Sequence, residues 1–102
     1  MKPFVIEVVN QTAPDLAFGA AQRQSRFILV GDRETGSITW KTRFEEFKII
    51  THNMKEALTE IALRLVHQKD SRYYGEDLPA GYLTDGHGYY VFFGWAQALE
   101  EK

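Results

Sequence analysis

Residues 82–95 read YLTDGHGYYVFFGW, and the fold turns on how this stretch is used. Asp85-Gly86 is a two-residue hairpin signal, because a type I′ turn needs positive φ at both central positions. On that reading Thr84 faces His87, Leu83 faces Gly88 and Tyr82 faces Tyr89. The segment Tyr89–Gly94 is then a strand that is apolar on both sides, with Tyr89, Val91 and Phe93 opposing Tyr90 and Phe92. Gly86-His87-Gly88 is glycine-rich but precedes a strand. A dinucleotide-binding turn follows a strand and opens a helix, so that chemistry is not indicated.

Working outward, Phe4–Val9 is a short apolar run between Pro3 and Asn10 and predicts a mostly buried strand. Residues 12–23 predict a short helix, with Pro14 and Asp15 suited to its first turn and Leu16, Ala17, Ala20 and Ala21 on one side; read as loop instead, they leave an antiparallel meander carrying one main helix. Arg26–Val30 predicts a strand and GDRETGS a turn. Ser37–Phe44 alternates, with Ile38, Trp40, Thr42 and Phe44 opposite Thr39, Lys41 and Arg43. Asn53 suits an N-cap, with Glu56 completing a capping box. The helix it opens runs to Gln68, with Leu58, Ile61 and Leu65 in its apolar stripe. Residues 69–81 read as a polar loop and Trp95–Glu101 as a short terminal helix.

These elements predict a single α+β domain over residues 1–102, a mainly antiparallel sheet with helices on one face. The order strand, helix, strand, strand, helix, strand (β-α-β-β-α-β) resembles the ferredoxin-like arrangement. The resemblance concerns fold alone and implies no activity.

Composition removes several chemistries. The 102 residues include no cysteine, which excludes disulfides, thiolate catalysis and cysteine-ligated metal, and favours a reducing compartment such as the cytoplasm. The N-terminal apolar run is too short for a membrane span or a signal peptide. Net charge is −2. Residues 20–50 carry six basic against four acidic side chains, and residues 70–102 two basic against six acidic. A dedicated nucleic-acid binder carries a stronger basic footprint than this.

Among the reactive residues, His52, His67 and His87 show no metal-ligand spacing, and Ser25, Ser37 and Ser71 lie in no nucleophile elbow. His67 falls in the last turn of a helix, where the dipole favours an imidazolium. Glu45-Glu46, Glu76-Asp77 and Glu100-Glu101 read as solvated pairs. No catalytic residue, metal or cofactor is assigned. Tyr73, Tyr74, His87, Tyr89 and Tyr90 form the candidate ligand-binding set of a small enzyme or sensor. Arg26, Lys41, Arg43 and Lys48 form the candidate nucleic-acid set, weakened because Trp40 alternates away from Lys41 and Arg43.

The favoured expectation is a non-enzymatic binding or regulatory module that contacts another protein, first of all a second copy of itself. Helices on one face would leave the aromatic residues of 89–93 on an open face, and a two-fold homodimer is the simplest cover for such a patch.

Overall fold

The computed structural model describes residues 2–23, 38, 41–48 and 55–96. Within them the elements in chain order are β1 (Lys2–Val8), α1 (Pro14–Arg23), β2 (Phe44–Glu46), α2 (Lys55–His67), β3 (Ala80–Thr84) and β4 (Tyr90–Ala96). The class is α+β, as the sequence predicts. The expected strand over Arg26–Val30, the turn after it and the Asn53 cap lie outside the described residues.

The four strands form one sheet in the order β1-β4-β3-β2. β4 runs antiparallel to both neighbours, β1 and β3, while β2 pairs parallel with β3. This differs from the ferredoxin-like element order. Parallel neighbours require a crossover, and α2 supplies the one between β2 and β3.

The helices pack on opposite faces of the sheet, not on one. Phe4, Ile6 and Val8 of β1 join Tyr90 and Phe92 of β4 in a cluster with Ala17, Phe18 and Ala21 of α1. Val5, Val91 and Phe93 join Leu58, Ala62 and Val66 of α2 in a second cluster. The reason is already in the strands: β1 and β4 are apolar on both sides, so each face needs its own cover. The face expected to stay open for a second copy therefore carries α1. Ala17, Ala20 and Ala21 are buried there as the stripe predicts, but Leu16 is exposed and Phe18 is buried in its stead. Small residues at 17, 20 and 21 bring α1 close to the sheet.

The hairpin register also differs from expectation. Tyr82 pairs with Phe92, Leu83 with Val91 and Thr84 with Tyr90. The turn holds five residues, Asp85–Tyr89, and its fastening is side-chain chemistry. Asp85 Oδ1 accepts from the His87 and Tyr89 amides, at 2.7 and 3.2 Å. Thr84 Oγ1 accepts from the Gly86 amide and donates to the Tyr89 carbonyl, at 3.1 and 2.8 Å. An Asx-type turn thus competes successfully with the two-residue hairpin. Because the shift is an odd number of residues, it moves each β4 side chain to the other face relative to β3.

Three further expectations are corrected. Residues 41–43 are not strand, and β2 begins only at Phe44. Trp95 and Ala96 end β4 and do not start a helix. Ile61 and Leu65 are half-buried, whereas Leu58 is fully buried.

Two aromatic rings lie across glycines of neighbouring strands. A Cβ on Gly81 would stand 2.5 Å from the Phe93 ring, and one on Gly94 3.0 Å from the Phe4 ring. The rings fill the space that side chains at these positions would take, one on each face of the sheet.

Leu58→Ala should lower unfolding free energy by about 2–5 kcal/mol through lost transfer energy and a cavity. Leu16→Ala should stay within about 0.5 kcal/mol, as exposed substitutions do. Gly81→Ala should cost about 1–3 kcal/mol because Phe93 must shift. Urea titrations of the three variants measure all of these, and a larger loss at Leu16 than at Leu58 would contradict the assignment of faces.

Candidate functional site

The five candidate ligand residues do not converge. Tyr90 belongs to the cluster under α1, whereas Tyr73 and Tyr89 belong to the cluster under α2. The sheet separates them. Tyr89 is buried and its hydroxyl donates to Glu7 Oε2 at 2.9 Å, with Thr59 Oγ1 3.0 Å from the same oxygen. Burial pushes the Tyr73 hydroxyl above its ordinary pKa, with Arg72 acting in the opposite direction. His87 is exposed at the hairpin turn. Only Tyr74 combines exposure with an organised aromatic neighbour.

The candidate nucleic-acid residues do not form one surface either. Arg26 lies outside the described residues. Lys48 is exposed, and Arg43 is exposed with its Nη2 donating to the Asp77 carbonyl at 2.6 Å. Lys41 points inward and is only 4% exposed. Its ammonium donates to the carbonyls of Gly75, Glu76 and Leu78 at 2.8, 3.1 and 2.7 Å. Gln22, near the end of α1, donates to the Lys41 carbonyl at 2.9 Å and fixes the backbone from which this side chain departs. Burial pushes the Lys41 pKa below the ordinary lysine value; Asp77 and Glu76 draw it back up, and Arg43 adds to the lowering. A neutral amine has only two hydrogens, so losing the proton would leave one of the three carbonyls without its donor. Lys41 is a fastener of the 75–78 loop.

That loop continues the segment that builds the most organised exposed feature. Tyr74 is 37% exposed and meets Trp95 edge to face, with ring centroids 4.9 Å apart and planes at 90°. Trp95 is half-buried, and its indole Nε1 donates to the Val66 carbonyl at 3.1 Å. The same carbonyl accepts the backbone amide of Lys69, also at 3.1 Å. Lys69 has positive φ (55°), closing α2 in the left-handed conformation common after a helix C-terminus. One orphan carbonyl of the last helical turn thereby ties Lys69 and Trp95 together. The Lys69 ammonium lies 5.5 Å from the Tyr74 ring centroid and 5.9 Å from that of Trp95, within cation–π range of both.

In the same loop Arg72 is held by Asp70 through two bonds, Nε to Oδ1 at 3.0 Å and Nη2 to Oδ2 at 2.6 Å. Its guanidinium stands 4.9 Å from the Phe47 ring centroid and 5.6 Å from that of Tyr73. The Asp70 carboxyl lies below its ordinary pKa, chiefly through the Arg72 side-chain bond.

Of this arrangement Tyr74 is among the residues singled out by the sequence, and Lys69, Arg72 and Trp95 are not. The polar loop with two tyrosines was the local signal. Nothing local signals that the end of β4 brings Trp95 to the end of α2. His67, expected to sit at the helix end for electrostatic reasons, does so, with Nδ1 2.9 Å from the Leu63 carbonyl. Among the described residues no group of three or more His, Asp or Glu side chains could hold a metal ion, and no helix is long and apolar enough to cross a membrane. Comparison with known protein families, with characterised proteins and with solved structures finds no match.

Lys41→Met keeps the buried stem but removes the donors of three carbonyls. It should cost about 2–4 kcal/mol, since buried groups left unsatisfied are expensive. Arg43→Met should cost less than about 1 kcal/mol. Equal, small losses in urea titrations would show that water replaces the ammonium. The pH dependence has a definite sign. Asp70 has a depressed folded value, so its contribution is complete above the ordinary aspartate value of about 3.9 and is lost as pH falls through the folded value. Asp70→Asn should flatten the acid limb of a stability–pH profile, and an unchanged limb would remove Asp70 from this role.

Proposed function

We propose that this chain is a small non-enzymatic binding module, working in a reducing compartment, whose contact surface is centred on Tyr74, Trp95, Lys69 and Arg72. The observation that carries this reading is the perpendicular pair of exposed Tyr74 and half-buried Trp95. Tyrosine, tryptophan and arginine supply large contact area with few rotatable bonds, and they dominate the energetics of protein interfaces. Here they are ordered in advance. The Val66 carbonyl holds Trp95, the Asp70 carboxylate holds Arg72, and the Tyr74 amide donates to the Asp70 carbonyl at 2.9 Å. Groups already held in place lose less freedom on binding.

A second copy of the chain is one partner for this surface. A homodimer through an open sheet face has lost its basis now that α1 covers that face, so self-association moves to the Tyr74 corner. The ligand-sensor alternative is weaker because the sheet divides its tyrosines, and the nucleic-acid alternative because Lys41 is turned inward.

A photo-crosslinking amino acid at position 74 should give one discrete adduct in cells producing the chain. The same group at position 60, exposed on the flank of α2, should give none. An adduct of twice the chain mass would identify the partner as a second copy. Identical labelling patterns at the two positions would overturn the proposed surface.

A further inference from the structure

We infer that the Tyr74–Trp95 corner is a binding site for a methylated lysine side chain of a partner protein, and that Lys69 is an internal occupant which the partner displaces. The inference rests on the proposed contact surface and names the chemistry that surface would recognise. Two rings at 90° form two walls of an open cage. A cation already sits against both: the Lys69 ammonium lies within 6 Å of each centroid. The corner therefore selects positive charge by its ring quadrupoles.

Displacing Lys69 breaks no ion pair among the described residues; its ammonium is held by ring faces, and a side chain leaving an exposed helix end returns to water. An unmodified lysine from a partner would gain nothing over this occupant, having the same strongly hydrated head. Methyl groups change the balance. They spread the charge, weaken hydration and add apolar contact with the rings, which is why aromatic cages favour quaternary ammonium groups. Arg72, three positions along the chain from Lys69, has its charge taken up by the bidentate Asp70 pair. The internal occupant sets a threshold: affinity is reduced by the fraction of time Lys69 fills the corner.

The test uses the full chain labelled at its tryptophan indoles, of which there are two, Trp40 and Trp95. The indole resonance of Trp95, assigned with Trp40→Phe or by its hydrogen bond to Val66, is followed by NMR. The probes are a short peptide carrying one trimethyllysine, the same peptide with unmodified lysine, its neutral tert-butyl isostere, and choline. The trimethyllysine peptide should shift the Trp95 signal saturably, and the lysine and neutral peptides should not. Lys69→Ala should tighten binding about fivefold, the gain expected when a competitor worth roughly 1 kcal/mol is removed. Tyr74→Ala, at an exposed position, should abolish the shift.

Equal binding of the neutral isostere would overturn the cation site while leaving an apolar contact surface in place. Choline binding as tightly as the peptide would overturn a protein side chain as the ligand. A silent Trp95 signal together with a discrete crosslink at position 74 would defeat the cage but not the contact surface. Saturable binding of the trimethyllysine peptide without any such crosslink would uphold the cage and defeat the broader surface.

Discussion

β4 is a strand with no polar side, and the rest of the molecule is arranged around that constraint. Tyr90 and Phe92 point to one face, Val91 and Phe93 to the other, and all four are buried. A strand of this kind needs neighbours on both edges and cover on both faces. β1 and β3 supply the edges, and α1 and α2 the cover. Moving either helix to the opposite face would expose a row of aromatic rings, so the layer arrangement follows from the composition of one strand. Phe4 over Gly94 and Phe93 over Gly81 extend the same logic to single positions, each glycine leaving room for a ring from the adjacent strand.

Polar chemistry then decides what the irregular segments do. Two fasteners hold the stretch between α2 and β3. At one end the Val66 carbonyl takes bonds from Lys69 and Trp95; at the other the Lys41 ammonium takes three carbonyls of the 75–78 loop. Between them lie Arg72, Tyr73 and Tyr74. A buried ammonium surrounded by carbonyls is costly to desolvate, and its partners would be equally costly to leave bare. That mutual dependence sets the path of the loop. The path presents Tyr74 to Trp95 while keeping Tyr73 in the core against Phe93, with ring centroids 5.1 Å apart.

The legibility of the sequence differed sharply between elements. β1, α1, α2 and β4 were readable because each is a local pattern: an apolar run, a helical stripe, proline and aspartate at a helix start. β2 was not. The alternation over Ser37–Phe44 suggested a longer strand, yet Lys41 leaves that pattern to bury its ammonium, and only Phe44–Glu46 pairs with β3. The hairpin register departs from the local signal for a similar reason. Asp85-Gly86 is a strong turn signal by itself, but the Asp85 and Thr84 side chains bind amides further along and enlarge the turn. Of the candidate site only Tyr74 was visible in advance, since its partners come from separate elements.

By itself the sequence determined the class of the fold, the helical segment of α2, and the double-sided apolar character of β1 and β4. These follow from residue type and spacing, which act over a few neighbouring positions. The tertiary structure alone decided which helix covers which face, that β2 runs parallel beside β3, and that Lys69 sits against Tyr74 and Trp95. Each of these depends on which distant segments share a face, and that choice is made by the burial of whole surfaces together, which no local window of residues contains.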